Sequence, residues 1–394
     1  MSARLAARKR DGLIDALRGL ALCGIALPNI AYFTWPPTVG GGVFFALGEN
    51  FIDRAALFAV AMFAMNKFYP IFAFLFGVGA GLMARNWRGD FIPRYRRRLA
   101  FLLCAGILHG LLLWYGDILA LYAICGFVLL VCATKRLRRV RRALRNWAGI
   151  TLALVVVGTI GVAIGLWSNY GAPSGSDIAQ RVSRDWAEAM RVHGIFASGD
   201  YWQVTPVRAE AFASIATSAL FGVFAHVVTL FLAGVMAARL GWFRARPAND
   251  ARWRRIAAWG WGLGLPLNGM VAIAMLNLPA YADAFYGMLY LAGPLLSAGY
   301  VASFVLAWRN GPGRLACLAP AGCMAFTNYL MQSLVFALVL SGFGLGMARH
   351  WDFAALLAFA LAFFFGVQVP LSRWWLSRYS QGPVEALWRR FTYA

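Results

Sequence analysis

The sequence predicts an all-α fold: a polytopic transmembrane helix bundle of about ten spans, with both termini cytoplasmic. Two observations carry that expectation. Of the 394 residues, 61% are hydrophobic, and they gather into long apolar runs between Leu13 and Leu376. About 20 apolar residues suffice to cross the hydrocarbon core as helix. The basic residues between the runs are Arg4 to Arg18, Arg85 to Arg98, Lys135 to Arg145, Arg239 to Arg255, Arg309 to Arg314 and Arg373 to Arg390. If each run crosses once, all of these clusters face the same side, and a cytoplasmic excess of Lys and Arg is the standard topological signal.

The charge balance agrees. Thirty of the 37 Lys and Arg residues, but only 5 of the 15 acidic ones, fall on the inner side. The net charge of +22 is thus spread over membrane-flanking linkers. No RNA- or DNA-binding signature accompanies it, so nucleic acid is not an expected partner and the lipid bilayer is.

The expected spans are, approximately, 17–35, 68–85, 99–115, 118–134, 147–167, 214–239, 256–277, 284–308, 317–343 and 353–377. Phe51 to Met65 is apolar but short and reads as an outer interfacial helix. The basic, apolar start imitates a signal peptide. Asp15 and Arg18 interrupt it and no small-x-small cleavage site follows, so it reads as a retained first helix. Residues 1–394 therefore read as a single integral membrane domain.

Two segments stand apart. The polar stretch 168–212 is an extracytoplasmic loop. Within it Asp177 to Gly194 carries Ile178, Val182, Trp186 and Met190 at four-residue spacing, the pattern of an amphipathic surface helix. The end, 378–394, is a cytoplasmic interfacial segment in which Glu385 and Arg389 are spaced to pair.

Several familiar chemistries are not written here. The six cysteines lie in or at the ends of spans with no CxxC, so neither a disulfide framework nor a metal site is expected. There is no Walker motif, HExxH or GxSxG. The glycine triplets Gly77-x-Gly79-x-Gly81 and Gly342-x-Gly344-x-Gly346 read as close-packing surfaces.

Polar residues inside apolar spans carry the functional argument, because they are costly to bury without partners. His109, Asp117 and Tyr122 flank a tight turn, and a helical hairpin there would fold the carboxylate and phenol back towards the imidazole. That is the layout of a general base or a proton relay; a satisfied core histidine with Asp117 capping the next helix fits the same residues. A second stripe holds Thr327, Asn328, Gln332 and Ser333. Thr327, Asn328 and Gln332 read as the wall of a substrate site or as helix–helix glue. Pro28 should kink the first span beside Asn29, and His226 reads as a core histidine.

Four blocks have a familiar spelling: LIDALRGLALCGIALPNIAYF, RRLAFLLCAGILHGLLLWYGDILALYAICG, APAGCMAFTNYLMQS and GPVEALWRRFTY. In order and spacing the chain resembles the YeiB family of bacterial inner-membrane proteins, a domain of unknown function sometimes described as a transporter. That family is similar, more distantly, to transmembrane acyltransferases such as heparan-alpha-glucosaminide N-acetyltransferase. The resemblance implies a cytosolic acyl-CoA as co-substrate and a sugar or other small acceptor on the far side. Arg18-Gly19 and Asn29 match the acyltransferase first helix. The histidine expected shortly after the asparagine is missing, and none precedes His109.

If acyl transfer occurs, the residues themselves then point to His109 as base and to Asn29 or Tyr122 as oxyanion donor. Arg18, Arg94, Arg97 and Arg98 would meet the CoA phosphates. A proton-coupled transporter of a small molecule is the rival reading, and a membrane sensor or scaffold the third. Oligomeric state is not encoded in readable spacing.

Overall fold

A computed structural model describes residues 12–33, 35, 50–87, 90–170, 175–278 and 281–393. All regular structure among them is helical. The basic residues Arg4 to Arg10, together with Gly171 and Pro173, lie outside the described set.

In chain order the helices are α1 (Gly12–Ala31), α2 (Phe51–Phe63), α3 (Phe68–Trp87), α4 (Phe91–Leu112), α5 (Leu119–Cys132) and α6 (Leu137–Tyr170). Next come α7 (Gly175–Ser198), α8 (Tyr201–Gly222), α9 (Phe224–Arg239), α10 (Pro247–Gly262), α11 (Gly264–Asn277) and α12 (Ala282–Arg309). The chain ends with α13 (Leu318–Cys323), α14 (Ala325–Leu340), α15 (Phe353–Phe363), a π-helical turn Phe364–Gln368, α16 (Val369–Arg378) and α17 (Pro383–Tyr393). Among the described residues six helical stretches are long and apolar enough to cross a membrane, or up to eight if each of two bent pairs counts as one span.

Small residues set the closest packing. A Cβ at Gly77 would sit on the Phe231 carbonyl, and one at Gly234 on the Phe74 carbonyl. Only glycine on both helices lets the α3 and α9 backbones touch. The other glycine triplet plays a different part. It follows α14 in a turn, where Gly346 adopts φ 63°, the left-handed region that favours glycine.

Two expected spans and the interfacial helix take another form, and the expected span 118–134 is only the 14-residue helix α5. The run 214–239 is broken at Val223, with α8 and α9 meeting at 62°. The run 317–343 is broken at Met324, where α13 and α14 meet at 78°. The expected interfacial helix instead stands against α11 and α15 and continues into α3, so that 51–86 reads as one stretch of 36 residues. The reason is local: Leu57, Val60 and Ala61 find protein partners, and the buried Asp53 accepts the Ala354 N–H at 2.9 Å.

The amphipathic helix expected in 168–212 forms, with Trp186 half-buried against Trp35. Ala189, Val192 and Phe196 are buried whereas Met190 is exposed. At 3.6 residues per turn a strict four-residue spacing drifts around the helix, so the packed stripe leaves it. The side chains of Ile178 and Val182 lie outside the described set.

Candidate functional site

The turn after α4 makes the site. The N–H groups of Leu113 and Trp114 both return to the His109 carbonyl at 2.9 Å, ending the helix, and α5 begins six residues later. The reversal lays Asp117 back against α4. Its Oδ1 lies 2.8 Å from His109 Nδ1, and its Oδ2 accepts the Ala120 N–H at 2.7 Å. Asp117 thus faces the imidazole with one oxygen and the first turn of α5 with the other. Gly106, one turn before His109, permits the approach: a Cβ there would lie 2.7 Å from Asp117 Oδ2 and closer still to Ala120 N.

The other imidazole nitrogen faces a distant part of the chain. His109 Nε2 is 2.8 Å from Ser333 Oγ on α14. An ionised carboxylate only accepts, so Nδ1 carries the ring proton and Nε2 is left to accept from the serine hydroxyl. Ser333 Oγ also stands 3.3 Å from the Tyr329 carbonyl, a weaker alternative. The side chains of His109 and Asp117 are 1% and 0% exposed, and Ser333 is buried. Serine, imidazole and carboxylate thus stand in the order used to activate a hydroxyl nucleophile.

Aromatic rings wall this line. Tyr329 lies 5.1 Å from the His109 ring, and Trp114 meets it edge-on at 6.3 Å. Phe33 stacks on Trp114 at 5.0 Å. The Tyr329 hydroxyl is buried and has no hydrogen-bond partner among the described residues. From α8, Arg208 Nε donates to the Leu111 carbonyl at 2.8 Å and Tyr201 Oη to the Leu112 carbonyl at 3.0 Å. These bonds satisfy the orphan carbonyls at the end of α4. Phe196 of α7 then packs on Tyr115, so α7 and α8 cap the hairpin.

The remaining expected site residues fall elsewhere. Tyr122 donates to the Tyr69 carbonyl at 2.8 Å and packs on Phe76 and Phe231. The phenol facing His109 is Tyr329 instead, because α5 turns Tyr122 towards α3. Asn29 is half-buried in the last turn of α1, while both His109 nitrogens are engaged by Asp117 and Ser333. Asn328 donates to the Ala321 carbonyl and to Ser372 Oγ. Gln332 donates to Gln368 Oε1, and Gln368 returns a bond to the Asn328 carbonyl, each at 2.8 Å. Asn328 and Gln332 thus join α14 to α13, α16 and the π-helical turn, while Asn328 Oδ1 is buried without a hydrogen-bond partner among the described residues. His226 is satisfied by the Tyr69 hydroxyl at 3.0 Å.

Thr327 belongs to the tail. Glu385 accepts from the N–H groups of Phe326 and Thr327 and, at 2.6 Å, from Thr327 Oγ1. It caps the half-helix exposed by the Met324 break, in place of the expected pairing with Arg389. Trp388 donates to the Arg98 carbonyl, and the Arg98 guanidinium lies 3.4 Å over the Trp388 ring. Arg94 pairs with Asp90 at 3.1 Å and Arg18 with Asp15 at 2.8 Å, while Arg97 is exposed. Among the described residues no group of three or more His, Cys, Asp or Glu side chains could hold a metal.

Sequence reasoning placed His109 and Asp117 but did not assign Ser333 or Tyr329 to the site. The available signal was their four-residue spacing on the polar face of the second stripe.

Comparison with known proteins gives the family. YxaH of Bacillus subtilis (strain 168), an uncharacterized protein, is 30% identical over 98% of this chain and 94% of its own length. The chain belongs to the YeiB family. YeiB of Escherichia coli (strain K12), also uncharacterized, is 29% identical over 98% of this chain and 96% of its own. A family model described as a protein of unknown function, DUF418, matches residues 237–394. In this YeiB-family chain that region holds Ser333 and Glu385, whereas His109 and Asp117 precede it. No solved structure matches.

Proposed function

We propose that this protein is an acyltransferase of the bacterial inner membrane, which takes an acyl group from cytosolic acyl-CoA and passes it to a hydroxyl or amine on the outer side. In this reading the chain crosses about ten times with both termini inside. The observation that carries it is the buried line Ser333–His109–Asp117, with 2.8 Å at each contact.

Ser333 Oγ attacks the thioester carbonyl as its proton passes to His109 Nε2. The C–S bond breaks, and His109 returns that proton to the departing CoA thiolate, leaving an acyl-serine. The acceptor then gives its proton to Nε2 and attacks the ester, and Ser333 Oγ leaves with the proton. Asp117 holds the tautomer and stabilises the imidazolium throughout. Tyr329, whose ring lies 5.1 Å from that of the histidine, is the oxyanion donor that fits, in place of Asn29 or Tyr122.

The donor enters at the inner end of α4. Arg97 is exposed there, and Arg94 and Arg98 border the docked tail. His109 lies about 17 Å further along the same helix at 1.5 Å per residue, a gap that a flexible thioester arm can span.

The test is a thermal-shift scan of purified protein with acetyl-CoA, longer acyl-CoAs and CoA, followed by trapping of the acyl group. A saturable rise, with label from [14C]acetyl-CoA retained on the parent protein and not on Ser333→Ala, is the expected result. No rise with any CoA species rejects the enzyme and returns the proton-coupled transporter to first place.

A further inference from the structure

The break between α2 and α3 places a lysine inside the bundle. Lys67 is fully buried, and its Nζ donates to one group, the Ala61 carbonyl at 2.6 Å. No Asp or Glu lies within ion-pairing distance of it among the described residues. An ammonium has three donors and no acceptor, so two remain for another partner.

Its neighbour is equally unusual. Asn66 has φ 58°, the described non-glycine residue with a left-handed backbone. It is 7% exposed; Tyr286 Oη donates to its Oδ1 at 3.2 Å, and its Nδ2 is buried without a hydrogen-bond partner. Backbone N–H groups at a helix start have no intrahelical acceptor, and α3 starts at Phe68. A buried ammonium, a buried amide donor and the N-terminal end of a 20-residue helix thus follow one another in the chain at this break.

In the ten-span reading that spot lies in the outer half of the bundle, at the start of the span 68–85. Gly293 packs on the Asn66 carbonyl and Ser297 Oγ donates to the Lys67 carbonyl at 2.6 Å. These α12 residues precede Arg309 by about 24 and 18 Å at the helical rise. In a hydrocarbon core about 30 Å thick an ionisable side chain is costly and marks a site or a pathway. Discontinuous helices that point their N-terminal half at anionic substrate groups are a recurrent way of building such sites.

We infer that the α2–α3 break is an intramembrane binding site for a single anionic group, a carboxylate or a phosphate, held by Lys67 Nζ, Asn66 Nδ2 and the first N–H groups of α3. The site is separate from the Ser333–His109–Asp117 line and does not rest on acyl transfer.

The test uses lipid-depleted protein in a neutral detergent. Acetate, inorganic phosphate and phosphatidylglycerol-doped micelles are titrated separately against chloride at constant ionic strength. At least one should raise the melting temperature of the parent saturably, by about 2–4 °C. Acetate or phosphate acting alone identifies a soluble anion; phosphatidylglycerol acting alone identifies a lipid phosphate. Lys67→Met should abolish the response.

Asn66→Asp is the second variant, because aspartate tolerates the left-handed backbone and sets a carboxylate beside the ammonium. It should fold, melt higher than the parent without added anion, and respond to none. A flat parent response to all three probes, or an equal rise in parent and both variants, overturns the site.

Discussion

His109 Nε2 and Ser333 Oγ are 2.8 Å apart although 224 positions separate them in the chain. The contact joins a helix hairpin to a half-helix that begins at a break, and neither segment has a complete set of reacting groups without the other. Each partner is fixed by a different device. Asp117 and Gly106 fix the imidazole, whereas the Gln332–Gln368 bond and the Glu385 cap fix the helix that carries the serine.

Groups that act as one unit lose activity together. Ser333→Ala and His109→Ala should each lower acyl transfer in vesicles by roughly 10³-fold or more, and the double variant should be no worse than either single one. Transfer of labelled acyl groups gives the numbers. Multiplying losses would mean that the two residues do not share a step.

Gly106→Ala should open the hairpin. Its new methyl collides with the Ala120 backbone and the Asp117 carboxylate, a conflict worth about 1–3 kcal/mol. Gly149→Ala in α6 is the control, since nothing lies within 4 Å of the added carbon. Melting in detergent should fall by several degrees for the first and hold or rise slightly for the second.

Removing the tail's anchor should free the tail. Glu385→Ala leaves the Phe326 and Thr327 N–H groups without their acceptor, a loss of about 1–3 kcal/mol at a buried helix start. Limited proteolysis should then cut near Gly382 faster than in the parent, while Arg389→Ala, whose side chain is exposed, should not change the rate.

Topology has its own test. In a cysteine-free background, a cysteine at Arg97 or Arg389 should react with a membrane-impermeant maleimide only from the cytosolic side. A cysteine at Met190 or Asp352 should react only from outside. Labelling of Met190→Cys from the cytosolic side would reverse the proposed orientation.

The sequence by itself determined the helical class, the stretches apolar enough to cross a membrane, the charge asymmetry, and the hairpin that brings Asp117 to His109. All of these are local or compositional: bilayer thickness dictates run length, and a short turn leaves a hairpin few arrangements. Only the tertiary structure decided that the histidine's second partner is Ser333, that Tyr122 turns away while Tyr329 takes its place, and that Glu385 caps a broken helix. It also decided that Asn328 and Gln332 bond to Ser372 and Gln368 and that Lys67 sits buried at a break. The reason is physical. A polar side chain in an apolar helix must find a partner, but which helix supplies it depends on how distant segments pack, and no spacing along the chain records that.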